Sequence, residues 1–424
     1  MKPYRKRVAD EILKRKLEVM GAVLIEGPKW CGKTTTAEQC AGSILYMADP
    51  LEEQRNMSLF EVNPRALLAG KTPRLIDEWQ IVPRLWDVVR FEVDHRDDLG
   101  QFILTGSAVP PSLDSIKHTG TGRIARMIMR PMSLFESGDS TGDVSLLSLF
   151  DNSNSMMGES NLTLEDIAFL ICRGGWPKAV GMDKRRVLDL AIEYYTAVVE
   201  SDISRVDNVS RDRDRVRRLM KSYARHQGAQ VNISVICEDI KANESEDLSS
   251  DTIASYISAL RKIFVIEDVE AWNPNLRSKT AIRTSDTRYY IDPSIATAAL
   301  GLGPKNLVAD LNTMGLFFET LCIRDLRVFA ESMGGRVYHY RDKTGLECDA
   351  VVVLNDGRYG LIEIKLGGDT QIEEGAKTLN KLADRIDTNK MSEPAFKMVL
   401  TAVGRYAYPR VDGVLVVPIG CLKN

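Results

Sequence analysis

Gly21-Ala-Val-Leu-Ile-Glu-Gly27-Pro28-Lys29-Trp30-Cys31-Gly32-Lys33-Thr34-Thr35 joins a short apolar run, a glycine-rich turn and a lysine-threonine pair. Residues 21–26 have the length and apolar content of a buried strand. Residues 27–34 then fit G-x-x-x-x-G-K-[ST], with a helix predicted from Lys33. Phosphates need successive main-chain N–H groups facing one point, which glycine permits. The stretch Gly27, Pro28, Lys29, Trp30, Cys31 and Gly32 is therefore read as the nucleotide cradle, with Lys33 on the β- and γ-phosphates. The Thr34 hydroxyl is placed on Mg²⁺ and Thr35 closes the stretch. ATP and Mg²⁺ are the expected ligands.

Outward from this turn, strands are predicted at Ser43–Met47, Arg74–Asp77 and Gln101–Thr105, with helices between them, including Arg84–His95. Strands alternating with helices imply a parallel sheet with ligand at its C-terminal edge. Leu75-Ile76-Asp77-Glu78 is an apolar strand ending in two carboxylates. Asp77 is expected to hold Mg²⁺ through its water shell, and Glu78 to orient and deprotonate the attacking water. Ser107, after Leu104-Thr105-Gly106, is a candidate for holding that water; a plain turn is the alternative. Arg123, with Arg126 next, is a candidate for a charge-stabilising arginine supplied by a neighbouring subunit, against an ordinary surface role.

The chain has 424 residues, 44% hydrophobic and 27% charged, with a net charge of −3. That is enough for two or three domains of a globular protein, and it excludes a uniformly polybasic nucleic-acid binder. Seven scattered cysteines show no zinc or redox spacing and fit a reduced, cytoplasmic protein. No apolar run reaches membrane-spanning length. The segments read as an ATPase core over 1–138, a linker and helical segment over 139–210, a winged-helix-like part over 211–305 and a further α/β part over 306–424. The linker assignment rests on the Ser, Gly, Asp and Asn content of 139–161. In the winged-helix part, Leu248–Lys262 carries the second helix, and Phe264–Val269 and Arg288–Ile291 the wing strands. Arg277, Lys279 and Arg283 between them suit phosphates, whereas Thr252, Ser255 and Ser258 are poor equipment for base readout.

In the last part, Asp349 begins an apolar strand, Asn355-Asp356-Gly357 signals a hairpin, and Ile362-Glu363-Ile364-Lys365 follows. Asp349 and Glu363 then lie side by side, with Lys365 on the same face as Glu363. Glu319, in the preceding helix, offers a third carboxylate, and Gln371 starts the next helix. Two or three carboxylates and a lysine are what a phosphodiesterase dependent on Mg²⁺ or Mn²⁺ needs. The set resembles the restriction-endonuclease and Holliday-junction-resolvase superfamily. A nuclease-like fold without chemistry, or a merely solvated charged face, are the alternatives.

Taken together, GPKWCGKTT (27–35), RLIDEWQ (74–80), FILTGSA (102–108), TGRIARMIMRPMSLFE (121–136) and GGWPKAV (174–180) resemble a widespread prokaryotic family. Its members are AAA-type ATPases with a C-terminal domain of unknown function 4143. The resemblance covers nearly the whole chain. It implies an α/β protein with an AAA-like P-loop NTPase domain, a winged-helix middle and a restriction-endonuclease-like C-terminal α/β domain. Trp30 and Cys31 depart from the usual loop, and Cys31 introduces a thiol open to oxidation. Two functions are weighed. One is a homo-oligomeric, ring-like (for example hexameric) ATPase acting on DNA; the other is an ATP-controlled switch with an inert C-terminal interaction module.

Overall fold

The computed structural model describes residues 3–96, 98–106, 119–152, 156–206, 209–244, 248–276 and 282–424. Ser107, Arg277 and Lys279 lie outside the described residues. The chain divides into two compact units. The first comprises residues 1–131, 200–211 and 258–265, and the second comprises 132–199, 212–257 and 266–424. Most of the three expected segments after residue 138 therefore share one unit.

In the first unit, the described residues form a five-stranded parallel sheet. Its strands are β1 (Ala22–Glu26), β2 (Ser43–Tyr46), β3 (Arg74–Asp77), β4 (Phe102–Gly106) and β5 (Ile124–Ile128), in the order β2-β3-β4-β1-β5. Central strands of a parallel sheet are covered on both faces and read as continuous apolar runs. β4 is buried at every residue, whereas edge strand β2 alternates between half-buried and exposed. On one face, Leu24, Ile76 and Leu104 pack with Trp79, Leu85, Trp86 and Val89. The order matters because β4 is inserted between β1 and β3. Register pairs Glu26 with Gly106 and Asp77 with Thr105, so the three strands end together.

The N-terminal segment is bonded to the glycine-rich turn. Arg7 is buried, and its guanidinium donates to the carbonyl oxygens of Cys31 (2.8 Å) and Arg130 (2.9 Å). Asp10, in the helix Val8–Leu17, accepts from the Arg7 N–H (2.8 Å) and from the Tyr4 hydroxyl (2.5 Å). The Tyr4 hydroxyl also lies 2.9 Å from that of Thr36. A segment without any motif thus braces the glycine-rich turn from behind.

The second unit is built on the helix Leu311–Ser332, capped by Asp310, whose carboxylate accepts from the N–H groups of Asn312 and Thr313. It is buried almost all round from Phe317 to Ala330, so its charges need partners. Arg324 pairs with Asp292 (2.9 Å) and Asp325 (2.7 Å), and Asp325 accepts from the Leu134 N–H (2.8 Å). The Gly174-Gly175-Trp176 turn docks on this network. Gly175 N–H donates to Asp292 (2.9 Å) and Trp176 Nε1 to Ser294 (3.0 Å). A Cβ on Gly175 would stand 2.2 Å from the Met132 carbonyl oxygen, so this close approach requires glycine.

After that helix come β8 (Gly335–Arg341), β9 (Glu347–Leu354), β10 (Tyr359–Lys365), β11 (Phe396–Thr401), β12 (Tyr406–Pro409), β13 (Leu415–Pro418) and β14 (Leu422–Lys423). β8, β9 and β10 are antiparallel neighbours; the helix Asp369–Arg385 then carries the chain to β11, parallel to β10. Residues 139–161 are not a free linker. They supply β6 (Val144–Ser145), parallel to β14, and β7 (Gly158–Glu159), antiparallel to β12. Their polar content suits short strands that cover a sheet edge. The expected wing strands are reduced to two isolated antiparallel bridges, Ile266 with Tyr290 and Val269 with Thr287. They follow the helices Arg213–Arg225, Ile233–Glu244 and Ser250–Lys262. No helix among the described residues is long and apolar enough to cross a membrane.

Removing one partner of a buried ion pair leaves the other charge uncompensated, at a cost of about 3–5 kcal/mol. Arg324→Ala, which strands the buried Asp292 and Asp325, is expected to destabilise the second unit by about this amount. A urea titration followed by tryptophan fluorescence checks it, and a loss below about 1 kcal/mol would contradict the pairing.

Candidate active site

The glycine-rich turn leaves β1 at its C-terminal end. Gly27 has φ 147°, and a Cβ there would stand 2.1 Å from the Met129 carbonyl oxygen. Any side chain would push the loop off β5, so glycine is required here. Trp30 also has positive φ (66°), and the residue is 46% exposed. Cys31 is fully buried, and its carbonyl is the one held by Arg7. Burial, not reactivity, therefore describes this thiol, contrary to the expectation of easy oxidation. Lys33 is buried, its ammonium donating to the carbonyl oxygens of Gly27 (2.9 Å) and Pro28 (2.8 Å). Lys29 points away from the turn and pairs with Asp202 at 2.6 Å.

Two strand ends and the start of the helix Lys33–Glu38 meet at Asp77. Its Oδ1 accepts from the hydroxyl of Thr34 (2.7 Å) and from that of Thr105 (2.5 Å). The insertion of β4 beside β3 makes the second bond possible. A hydroxyl and a carboxylate in contact beside a main-chain cradle fit the outer and inner shells of a Mg²⁺ ion. Glu78 follows in the left-handed region (φ 55°, ψ 47°), which turns its side chain out of the strand direction. Its carboxylate accepts from Gln80 Nε2. Sequence reasoning passed over Gln80, although it stands only two residues from Glu78.

The two arginine candidates go to different places. β5 starts at Ile124, level with Ala22 at the beginning of β1. Arg123 therefore lies at the edge where the strands begin, paired with Asp94 at 2.7 Å. Five residues of strand, roughly 16 Å, separate that edge from the glycine-rich turn. A cleft of about 340 Å³ opens there, lined by Val19, Gly21, Asp94, Asp98, Leu99 and Arg123 among others. Arg126 lies within β5, bonded to Glu26 (3.0 Å) and stacked over Trp86. Burial raises the Glu26 carboxyl above its ordinary range, and Arg126 opposes that rise.

In the second unit, the β9–β10 hairpin does bring Asp349, Glu363 and Lys365 together. Lys365 Nζ lies 2.7 Å from Glu363 and 3.3 Å from Asp349, whose Oδ2 also accepts from the Ile364 N–H (2.7 Å). Glu363 is buried, and its Oε1 has no hydrogen-bond partner. Burial pushes its carboxyl up to about 8, with the Asp349 charge adding to the rise and Lys365 opposing it. Burial alone would lower Lys365, but Asp349 and Glu363 more than offset it and hold the ammonium charged. Glu319 accepts from the Tyr289 hydroxyl, and burial, reinforced by Asp349, raises it well above the ordinary range. Gln371 is exposed and accepts from the Gly367 N–H (3.3 Å) instead of facing the cluster. Among the described residues, no three Asp, Glu, His or Cys side chains are gathered as a metal site. The lysine ammonium bridges Asp349 and Glu363 where a metal would have to sit, so the carboxylates as arranged do not fit one.

A carboxyl whose pKa is raised on folding stabilises the fold below its ordinary pKa, near 4.5, and loses that contribution as pH rises through about 8. The thermal midpoint of the wild type is therefore expected to fall from pH 5 to pH 8.5 more than that of Glu363→Gln, measured by differential scanning fluorimetry. Parallel curves would contradict the raised carboxyl.

Three stretches of the chain match known families. Residues 20–137 match the family described as an AAA domain. Residues 164–306 match a domain of unknown function, number 8612, and residues 314–422 the domain of unknown function 4143. Over 417 residues the chain is 22% identical to uncharacterized proteins of Mycobacterium tuberculosis and Mycobacterium bovis, covering 97% of this chain and 83% of each relative. Among solved structures, the Walker-type ATPase PABY2304 of Pyrococcus abyssi aligns at 16% identity with a TM-score of 0.43, over 70% of this chain and 96% of that one. The chain joins an AAA-type P-loop ATPase domain to a C-terminal domain of unknown function 4143.

Proposed function

We propose that the chain binds and hydrolyses ATP at the edge formed by β1, β3 and β4, and that it couples turnover to binding, translocation or remodelling of DNA. The observation that carries the ATPase reading is the convergence of Thr34 and Thr105 on Asp77, directly beside the Lys33 loop. Main-chain amides of residues 27–32 would cradle the phosphates, and Lys33 would exchange its carbonyl partners for phosphate oxygens. Mg²⁺ held by Thr34 and Asp77 would neutralise charge on those oxygens. Glu78 then takes the proton of the attacking water.

A homo-oligomer is part of this reading: Arg123, at the edge of the sheet away from the glycine-rich turn, would meet a phosphate only in a neighbouring subunit. The DNA reading rests on Arg283, exposed beside the bridges that stand where a wing would be, and on the carboxylate–lysine hairpin of the second unit. A restriction-endonuclease-like fold belongs to this reading; metal-dependent cutting by Glu319, Asp349, Glu363 and Lys365 would require the Lys365 ammonium to leave its place between Asp349 and Glu363. The second reading, an ATP-controlled switch with an inert C-terminal module, is favoured by the lysine bridging Asp349 and Glu363. Seven free thiols fit a reducing, cytoplasmic setting.

Lys33→Ala is expected to abolish ATP binding. Glu78→Gln should keep it while slowing phosphate release roughly 10²–10⁴-fold. Equal turnover by Glu78→Gln and wild type would refute the assignment. Assays with linear, forked and four-way DNA, in Mg²⁺ and in Mn²⁺, separate the two readings. Stimulated ATPase, with cutting lost in Asp349→Ala, supports action on DNA; unstimulated slow turnover without cutting supports the switch.

Mixing Lys33→Ala with Arg123→Ala subunits is expected to restore part of the ATPase activity, because intact composite sites form. No rescue at any ratio would count against a shared site.

A further inference from the structure

Glu78 is held from one side only. The short turn Trp79–Ile81 follows it, with Trp79 buried against Trp86 (ring centroids 5.1 Å apart). That anchoring leaves Gln80 beside the strand ends. Its Nε2 donates to Glu78 Oε2. Its Oε1 is buried and accepts no hydrogen bond. The same oxygen lies 2.7 Å from where a Cβ on Gly106 would stand, which locates it at the end of β4, one residue beyond Thr105. A buried acceptor without a donor is costly and rare, so a donor belongs at this point. Among the described residues, the Thr34 and Thr105 hydroxyls are already given to Asp77 and the Lys33 ammonium to the loop carbonyls, whereas the attacking water brings a donor that is not yet committed. That water offers two O–H groups and needs two acceptors to fix its direction.

We infer that Gln80 is a positioning residue for ATP hydrolysis: its amide nitrogen holds the Glu78 carboxylate while its amide oxygen accepts a hydrogen bond from the attacking water. This rests on the ATPase reading and deepens it. In the step, the water oxygen bonds to the γ-phosphorus and the bond from that phosphorus to the β–γ bridging oxygen breaks. ADP leaves with the bond's electron pair. One water proton passes to Glu78, and the other O–H is the one held by Gln80. The products are ADP, phosphate and a proton, with no change of oxidation state. Gly106 then has a reason to lack a side chain, since any Cβ would displace the Gln80 amide. The role assigned to Ser107 from the sequence is a second grip on the same water, and Gln80 supplies one from a neighbouring strand end.

The test is steady-state ATPase with Mg²⁺ on wild type, Gln80→Met and Gln80→Asn, with ATP affinity read separately by a fluorescent ATP analogue. Methionine keeps the length and removes both polar atoms; asparagine keeps the amide on a shorter arm. Gln80→Met is expected to lose about tenfold or more in kcat, with KM and analogue affinity within about twofold of wild type. Gln80→Asn is expected to recover part of that kcat. A Met variant within about twofold of wild-type kcat, or one whose affinity falls by the same factor as its kcat, would overturn the role. A wild type that hydrolyses no ATP in the same assay would instead overturn the ATPase reading itself.

Discussion

One carboxylate oxygen, Oδ1 of Asp77, receives both the Thr34 hydroxyl that opens the loop helix and the Thr105 hydroxyl that ends β4. Hydrogen bonds to a charged acceptor contribute about 1.5–3 kcal/mol each, so this node ties three chain segments more firmly than local packing would. It exists only because the strand order places β4 between β1 and β3, with all three ending level. In a parallel sheet, ligand chemistry gathers at that edge because loops and helix starts emerge there together. Arg7 completes the frame from behind by holding the Cys31 and Arg130 carbonyls, which fixes the loop against β5.

The second unit spends its charge differently. Arg324 is almost wholly buried, but two aspartates and the Gly175 turn satisfy it and its partners, a structural use of ions. The β9–β10 hairpin holds the opposite case. There Glu363 has an unsatisfied oxygen, a carboxyl raised by burial and an ammonium spanning it to Asp349. Perturbed groups of this kind collect at functional sites, though a lysine that already neutralises the carboxylates competes with any cation. The carboxylate–lysine cluster and the ATP edge are thus separate devices built on different sheets.

Much of the first unit was legible in the sequence, because its signals are local. The apolar runs of β1, β3 and β4 and the P-loop spacing need only neighbouring residues to be read. The Asn355-Asp356-Gly357 turn likewise placed Asp349 beside Glu363 through a two-residue period. What escaped was contact between distant segments. No motif marks Arg7, although it binds a carbonyl 24 residues away. Trp176 needs Ser294, 118 residues on, to explain its turn. β5 was missed because Ile124–Ile128 carries a charged residue, Arg126, at its centre and is only partly buried at the edge of the sheet. Residues 139–161 read as a linker because two-residue strands carry no periodicity, and only the partner strands β12 and β14 define them.

If Asp77 organises the site as its two hydroxyl partners indicate, its charge sets how ATP and magnesium are bound together. The direct measurement is the affinity for a fluorescent ATP analogue with and without Mg²⁺, in wild type and in Asp77→Asn. The account predicts that Mg²⁺ tightens binding to the wild type by about tenfold, roughly 1.4 kcal/mol, and leaves the variant's affinity almost unchanged. An equal response to Mg²⁺ in both proteins would contradict it.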